Sequence, residues 1–270
     1  MKAQTYKTSD LNSLLATLPA TANETIHSRC TPRYSLVSTK RVAESLLANS
    51  EWKLMGGKQG GTRIVGMEHY TRHSVLFSRP DLGDDILGVT PFIQFQNAHA
   101  GRGAAQARIG LYRSVCLNEL MFGAAMEVKC SARHTGTAED NILQAIQLVA
   151  CRIPDTMNQI REWSKFDTTM DQRVELAETG LTARFGEDRK KWAVDADAVL
   201  SNCRREEDRG YDLWTTLNVV QENILRPFRK GDENENGKVV PFRSVRAIAT
   251  LNRINLALVE KSETICGLIS

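Results

Sequence analysis

Few residues in this 270-residue chain have the types and spacing that chemistry requires. His69 and His73 are four apart. On a helix they would share a face and could hold one metal ion. Their segment reads as a strand, where that separation spans about 13 Å, too far for two ligands of one ion. Cys116 with His134 could form a nucleophile–base pair, but a cysteine inside an alternating strand reads first as a small buried apolar residue. Gly56–Gly61 has the glycine content of a phosphate loop, yet Gln59 stands where Ser or Thr must follow Lys58. Paired carboxylates at Asp84/Asp85 and Glu206/Glu207 lie in polar runs that read as solvated surface. No G-x-S-x-G, H-E-x-x-H or kinase set occurs. The expectation is a protein without catalytic residues, metal or cofactor.

The elements that would position these residues divide the chain. In the first half, Arg63–Val65, Glu68–Phe77 and Pro91–Asn97 are rich in β-branched and aromatic residues. Ala107–Leu117 alternates, with Ile109, Leu111, Arg113, Val115 and Leu117 on one face. Met126–Ala132 is a further candidate strand. Tyr34–Ser38 reads as a short strand or turn, and Gly56–Gly61 as a flexible turn. Ser38 caps a predicted helix, Thr39–Ala48, and a shorter helix is expected at Ser9–Leu18. The second half is helical. Ile142, Ile146, Val149 and Ile153 form one stripe after a Thr137 cap, and Pro154 breaks it. A second stripe runs from Met157 to Leu181. Further helices are expected at Trp192–Arg204, Tyr211–Leu225 and Arg243–Ser262, with 230–238 as a polar loop prone to disorder. This order predicts an α+β fold, an antiparallel sheet in the N-terminal half packed with helices and a helical C-terminal half. The predicted division is an arm at 1–30, a core domain at 31–153 and a helical region at 154–270.

Composition limits the class. The chain is 41% hydrophobic and 25% charged, with a net charge of +3, which excludes a disordered chain. No apolar run is long enough for a transmembrane helix, and the N-terminus lacks the apolar core of a secretory signal. The six cysteines are scattered without a C-x-x-C pair, as expected of reduced thiols in a cytoplasmic protein. Charge is uneven: residues 1–135 carry +6 and residues 136–270 carry −3. Such a division suits a polyanion-binding face or head-to-tail subunit contacts.

Several motifs carry a resemblance. They are Asn97-Ala98-His99-Ala100-Gly101-Arg102, then Tyr112-Arg113-Ser114-Val115-Cys116-Leu117-Asn118, and Arg133-His134-Thr135-Gly136. Val220-Gln221-Glu222-Asn223 and Arg243-Ser244-Val245-Arg246 follow near the C-terminus. Over residues 30–260 the chain resembles a family of phage-, plasmid- and prophage-borne proteins known as domain of unknown function 932. Ala100 and Arg102 stand where that family usually has Asp and Ser, and Glu119 replaces the Gly after Asn118. The resemblance implies a mobile-element protein in a bacterial host cell. In layout, the helix, glycine turn, strands and helix are similar to the β-β-β-α core of Rad- and Redβ/Erf-type single-strand annealing proteins. That likeness implies rings or filaments holding single-stranded DNA in a basic groove.

Annealing needs cations along a groove and bases left exposed. The candidates are Lys40 and Arg41 at the first helix, Lys58 and Arg63 near the glycine turn, and Arg102, Arg108 and Arg113 in the strands and their turn. Arg133 and His134 precede a helix N-terminus, where anions bind. The C-terminal cations Arg226, Arg229, Lys230, Arg243, Arg246 and Arg253 form a second polyanion surface or dock on an acidic neighbouring subunit. The leading expectation is a non-enzymatic single-stranded DNA-binding and annealing protein acting in recombination. Its partners would be single-stranded DNA, copies of itself, and phage or host recombination proteins, with no membrane. The alternative is an anti-defence or host-takeover protein that binds a host protein.

Overall fold

The computed structural model describes residues 2, 4–32, 34–84, 87–101, 104–113, 118–121 and 138–267. The fold is α+β. It divides into two compact units, one of residues 1–120 and 124–155, the other of residues 121–123 and 156–270.

The first unit is built on a six-stranded sheet in the order β1-β2-β3-β4-β5-β6. The strands are β1 Gln4–Lys7, β2 Lys53–Gln59, β3 His73–Ser78, β4 Val89–Asn97, β5 Gln106–Arg113 and β6 Asn118–Met121. Neighbours from β1 to β5 pair antiparallel. Helices α1 Leu11–Thr17, α2 Pro19–Ala22 and α3 Thr39–Ala48 lie between β1 and β2, and α4 Ala138–Ala150 follows β6. Residues 1–30, expected as an arm, thus supply an edge strand and two helices of this unit.

Strand parity sorts side chains to two faces. Gly57, Val75, Phe95 and Ala107 are cross-strand partners on one face. A methyl group at Gly57 would lie 3.1 Å from Leu18 and 3.2 Å from Leu14, so α1 covers this face. Lys58, Ser74, Gln96 and Gln106 form the adjacent row on the other face. The sheet curls toward that second face. Lys7 of β1 sits 5.5 Å from the ring centroid of Tyr112 on β5, although a flat sheet would separate those strands by about 19 Å.

The structure revises several expected elements. Gly56–Gly61 is not a turn, because β2 runs through Gln59. Its glycines serve close approach: a side chain at Gly57 would also stand 2.7 Å from Ser74 O. Arg63–Val65 and Tyr34–Ser38 are not strands, and Glu68–Tyr70 is a 3-10 turn. Ser38 does cap α3, accepting from Arg41 N at 3.2 Å. Met126–Ala132, the Thr137 cap and Cys116 lie outside the described residues.

Gly110 is one of the two tightest points of the sheet, with Gly56. A methyl group at Gly110 would lie 2.2 Å from Phe92 Cζ, and Phe92 is fully buried. Gly110→Ala is expected to cost about 1–3 kcal/mol by overpacking. A urea midpoint indistinguishable from wild type would disprove this.

The second unit is helical. It contains most of α5 Ile153–Trp163, then α6 Met170–Phe185, α7 Ala196–Ser201, α8 Leu213–Leu225 and α9 Ile248–Ile265. The expected stripe from Met157 to Leu181 is two helices, because Thr169 and Gln172 form a capping box that starts α6 afresh. α7 is shorter than expected, and α9 begins five residues later than expected. All thirteen residues of α8 are buried, so α8 is the axis of this unit. The 230–238 segment is an ordered turn. Asn234 N donates to Lys238 O at 2.9 Å and Val240 N to Asp232 O at 2.9 Å, with Gly231 and Gly237 at positive φ.

Candidate nucleic-acid interface

The described cations from the first half do not line one groove. Lys40 and Arg41 sit in the first turn of α3. The hydroxyl of Thr39, beside them, is 2.8 Å from His73 Nε2 on the helix-covered face. Arg41 is exposed and lies 3.8 Å from Glu24. Lys58 and Arg108 project from the opposite face by their registers. Arg108 is only 8% exposed and donates to Gln106 Oε1 at 2.9 Å. Arg63 lies apart from them on the β2–β3 loop. Arg113 ends β5 opposite Val89, and its side chain lies outside the described residues, as do Arg102, Arg133 and His134.

At one end of the helix-covered face, Gln59, His73 and Asn97 form a buried polar row. Asn97 Nδ2 donates to Thr39 Oγ1 at 3.1 Å and to Val37 O at 2.9 Å. His73 Nδ1 lies 2.9 Å from Thr71 O, and the rings of His73 and His99 are 4.8 Å apart. Burial, aided by the nearby His99, pushes the His73 pKa down to about 3, while the Thr71 carbonyl pulls the other way. This row fastens α3 to the sheet. His69 is in the 3-10 turn, separate from it. Among the described residues no group of three His, Cys, Asp or Glu could hold a metal ion.

Among the described residues, cations gather most closely in the helical unit, at the C-terminal end of α8. Glu222 there is buried and receives Arg205 at 3.0 and 3.3 Å, with Arg226 at 3.6 Å. Asn223 Oδ1 accepts from Arg204 Nε at 2.9 Å and from Asn202 at 2.8 Å. Arg204 also donates to Arg226 O at 3.2 Å, and Arg184 donates to the carbonyls of Ile224 and Arg243. Guanidinium groups thus satisfy carbonyls at the negative end of the helix dipole.

These cations surround aromatic rings. Arg204 and Arg229 lie 6.0 and 5.9 Å from the Phe228 centroid. Arg184 is 4.5 Å from Phe242 and 4.7 Å from Phe185, and Phe228 meets Phe242 edge-on at 5.3 Å. Two stretches of chain bring the set together, since Phe242 N donates to Lys230 O at 3.0 Å and Val245 N to Leu225 O at 2.9 Å. Partial burial lowers the Arg184 pKa to about 10, so it stays charged at neutral pH. Of the C-terminal basic run named from the sequence, the side chains of Arg226 and Arg229 lie here. Arg184, Arg204 and the phenylalanines were missed, although Arg226-Pro227-Phe228-Arg229 is a local signal for them.

An α+β protein with a two-unit chain and an arginine–aromatic surface is the class that this geometry defines. The chain matches the model of the family described as Domain of unknown function (DUF932) over residues 26–255, and it belongs to that family. It is similar to two proteins of Escherichia coli (strain K12). It is 29% identical to UPF0380 protein YafZ over 247 residues, covering 91% of this chain and 87% of YafZ. It is 27% identical to UPF0380 protein YfjQ over 253 residues, covering 93% of this chain and 89% of YfjQ. No solved structure matches the chain. Among the described residues no helix is long and apolar enough to cross a membrane.

Proposed function

We propose that this protein binds single-stranded DNA without catalysing a reaction, and that it self-assembles to anneal strands in recombination. The observation that carries the reading is the arginine–phenylalanine surface around the end of α8. Cations neutralise phosphates, and the planar guanidinium groups and the half-buried Phe228 ring offer stacking partners to unpaired bases. A duplex hides those base faces, so single strands are the preferred form. The basic binding surface is thereby moved from the sheet to the helical unit.

The test is fluorescence anisotropy with a labelled oligothymidylate at low and moderate salt, against a duplex of equal length. Binding should weaken steeply with salt. Reversing Arg204 and Arg229 to Glu should weaken it roughly tenfold or more at moderate salt. Absence of binding at low salt, or binding indifferent to both reversals, would refute the reading.

A further inference from the structure

The β2–β3 loop has a fixed base and a bare tip. At the base, Gly60 N donates to Arg72 O at 2.7 Å, and Gln59 Nε2 donates to Glu68 O at 2.8 Å. Tyr70 meets His27 edge-on at 4.7 Å. The tip turns through Met67 N donating to Ile64 O at 3.3 Å and Gly66 at φ +82°. This places Ile64 at 58% and Val65 at 96% exposure, beside the exposed Arg63. Arg63 has no ion pair among the described residues. A held loop that presents two aliphatic side chains and a cation to water is built for contact rather than for the core.

The helical unit carries a surface of opposite character. A pocket of about 530 Å³ is bounded by α6, α7 and the ordered turn after Gly231. Its lining includes Val174, Trp192 and Val194, and its carboxylates outnumber its cations. Glu178 is held by Arg189 at 2.6 Å and Glu235 by Lys190 at 3.0 Å. Asp195 caps α7 through Ala198 N at 2.7 Å. Asp197 and Glu233 line the same pocket with no ion pair among the described residues. The pocket therefore offers apolar wall and unneutralised negative charge together, which match the aliphatic pair and unneutralised Arg63.

We infer that the Arg63–Val65 tip of one copy seats in this pocket of a second copy. The aliphatic side chains pack on the half-buried Val174 and the small exposed edge of Trp192, and Arg63 meets Asp197 and Glu233. The contact joins two different surfaces, so it is heterologous and propagates head to tail into a ring or a filament. It gives a physical basis to the self-assembly in the proposed function, yet it forms without nucleic acid and stands apart from DNA binding. One loop tip in one pocket is a small interface, so assembly should depend on concentration and salt, strengthening where a ring closes.

The test is light scattering on size-exclusion fractions of the full chain, without DNA, over a concentration series. Wild type should form higher oligomers. Arg63→Glu and Val65→Ser should each yield monomers that retain the wild-type melting temperature, since both positions are exposed. The paired change Asp197→Lys with Glu233→Lys should also yield monomers. Mixing the Val65→Ser chain with the Asp197→Lys/Glu233→Lys chain leaves one intact tip and one intact pocket, so a 1:1 heterodimer that grows no further is expected. A wild-type chain that is monomeric throughout would overturn the inference. So would tip variants that assemble like wild type, or a mixture that stays monomeric. Because the assembly needs no DNA, oligothymidylate anisotropy reads the proposed function separately, and either can fail while the other stands.

Discussion

Glu222→Ala is expected to destabilise the helical unit by about 2–4 kcal/mol. Glu222 lies in the last turn of α8, and its side chain is 4% exposed. Arg205 reaches it with two nitrogens and Arg226 with one. Removing the carboxylate leaves both guanidinium groups without their counter-charge at the end of a helix whose carbonyls are already engaged. The two arginine side chains keep 24% and 39% exposure, so water offsets part of the loss and the cost falls below that of a fully enclosed pair. Glu222→Gln keeps the shape and one acceptor oxygen and should cost roughly half as much. Urea denaturation followed by circular dichroism measures both. The same variants separate structure from binding. If Glu222 only anchors the cations, Glu222→Gln leaves more net positive charge at the surface, and oligothymidylate affinity should hold or rise. A tenfold fall in affinity of a folded Glu222→Gln protein would place the carboxylate in the binding surface itself.

The same helix shows why part of this site was hard to read. The periodicity of Ile142, Ile146, Val149 and Ile153 marks one buried stripe, and all four are buried. In α8 every position is buried, so no polar face reveals which of Gln221, Glu222 and Asn223 does what. Their partners come from 199–205 and from α9, distances that a sequence pattern does not encode. Strand β1 was invisible for a related reason. Gln4–Lys7 has no apolar alternation, and its strand state comes from pairing with β2. Glycines at 56 and 57 resemble turn residues, but they mark a bulge and a close helix approach.

The cations illustrate a further limit. Alternation in Ala107–Leu111 was legible, and the structure keeps Ile109 and Leu111 together on the helix-covered face, although both faces of β5 are buried there. Lys58 and Arg108 do share a face, but only cross-strand register reveals it, and only the position of α3 places Lys40 and Arg41 on the other side. Charge counted along the sequence therefore placed the basic surface in the first half. Counted in space among the described residues, the denser cluster is in the acidic half, where its acids lie on separate surfaces or are engaged by arginines.

The sheet unit should lose stability as the pH falls from about 6.5 toward 3, with His73 as a principal cause. His73 is fully buried. Its Nδ1 faces the Thr71 carbonyl and must donate to it, so Nε2 accepts from the Thr39 hydroxyl, which in turn accepts from Asn97. That chain holds the imidazole neutral. An unfolded histidine titrates near 6.5, whereas His73 in the fold does so only at about 3. Above 6.5 neither state binds the proton and the full stability is present. Between the two values the unfolded chain takes up a proton that the fold refuses, and stability declines by about 1.4 kcal/mol per pH unit. Below 3 both states are protonated and this contribution levels off. His73→Gln can still accept from Thr39 and cannot be charged, so its stability should be flatter by about one proton over pH 6.5 to 5, above the range where most carboxylates titrate. Urea midpoints for both proteins at half-unit intervals measure the two slopes. Equal slopes would show that His73 takes up its proton in the fold as readily as in the open chain, and the polar row under α3 would then be solvated rather than sealed.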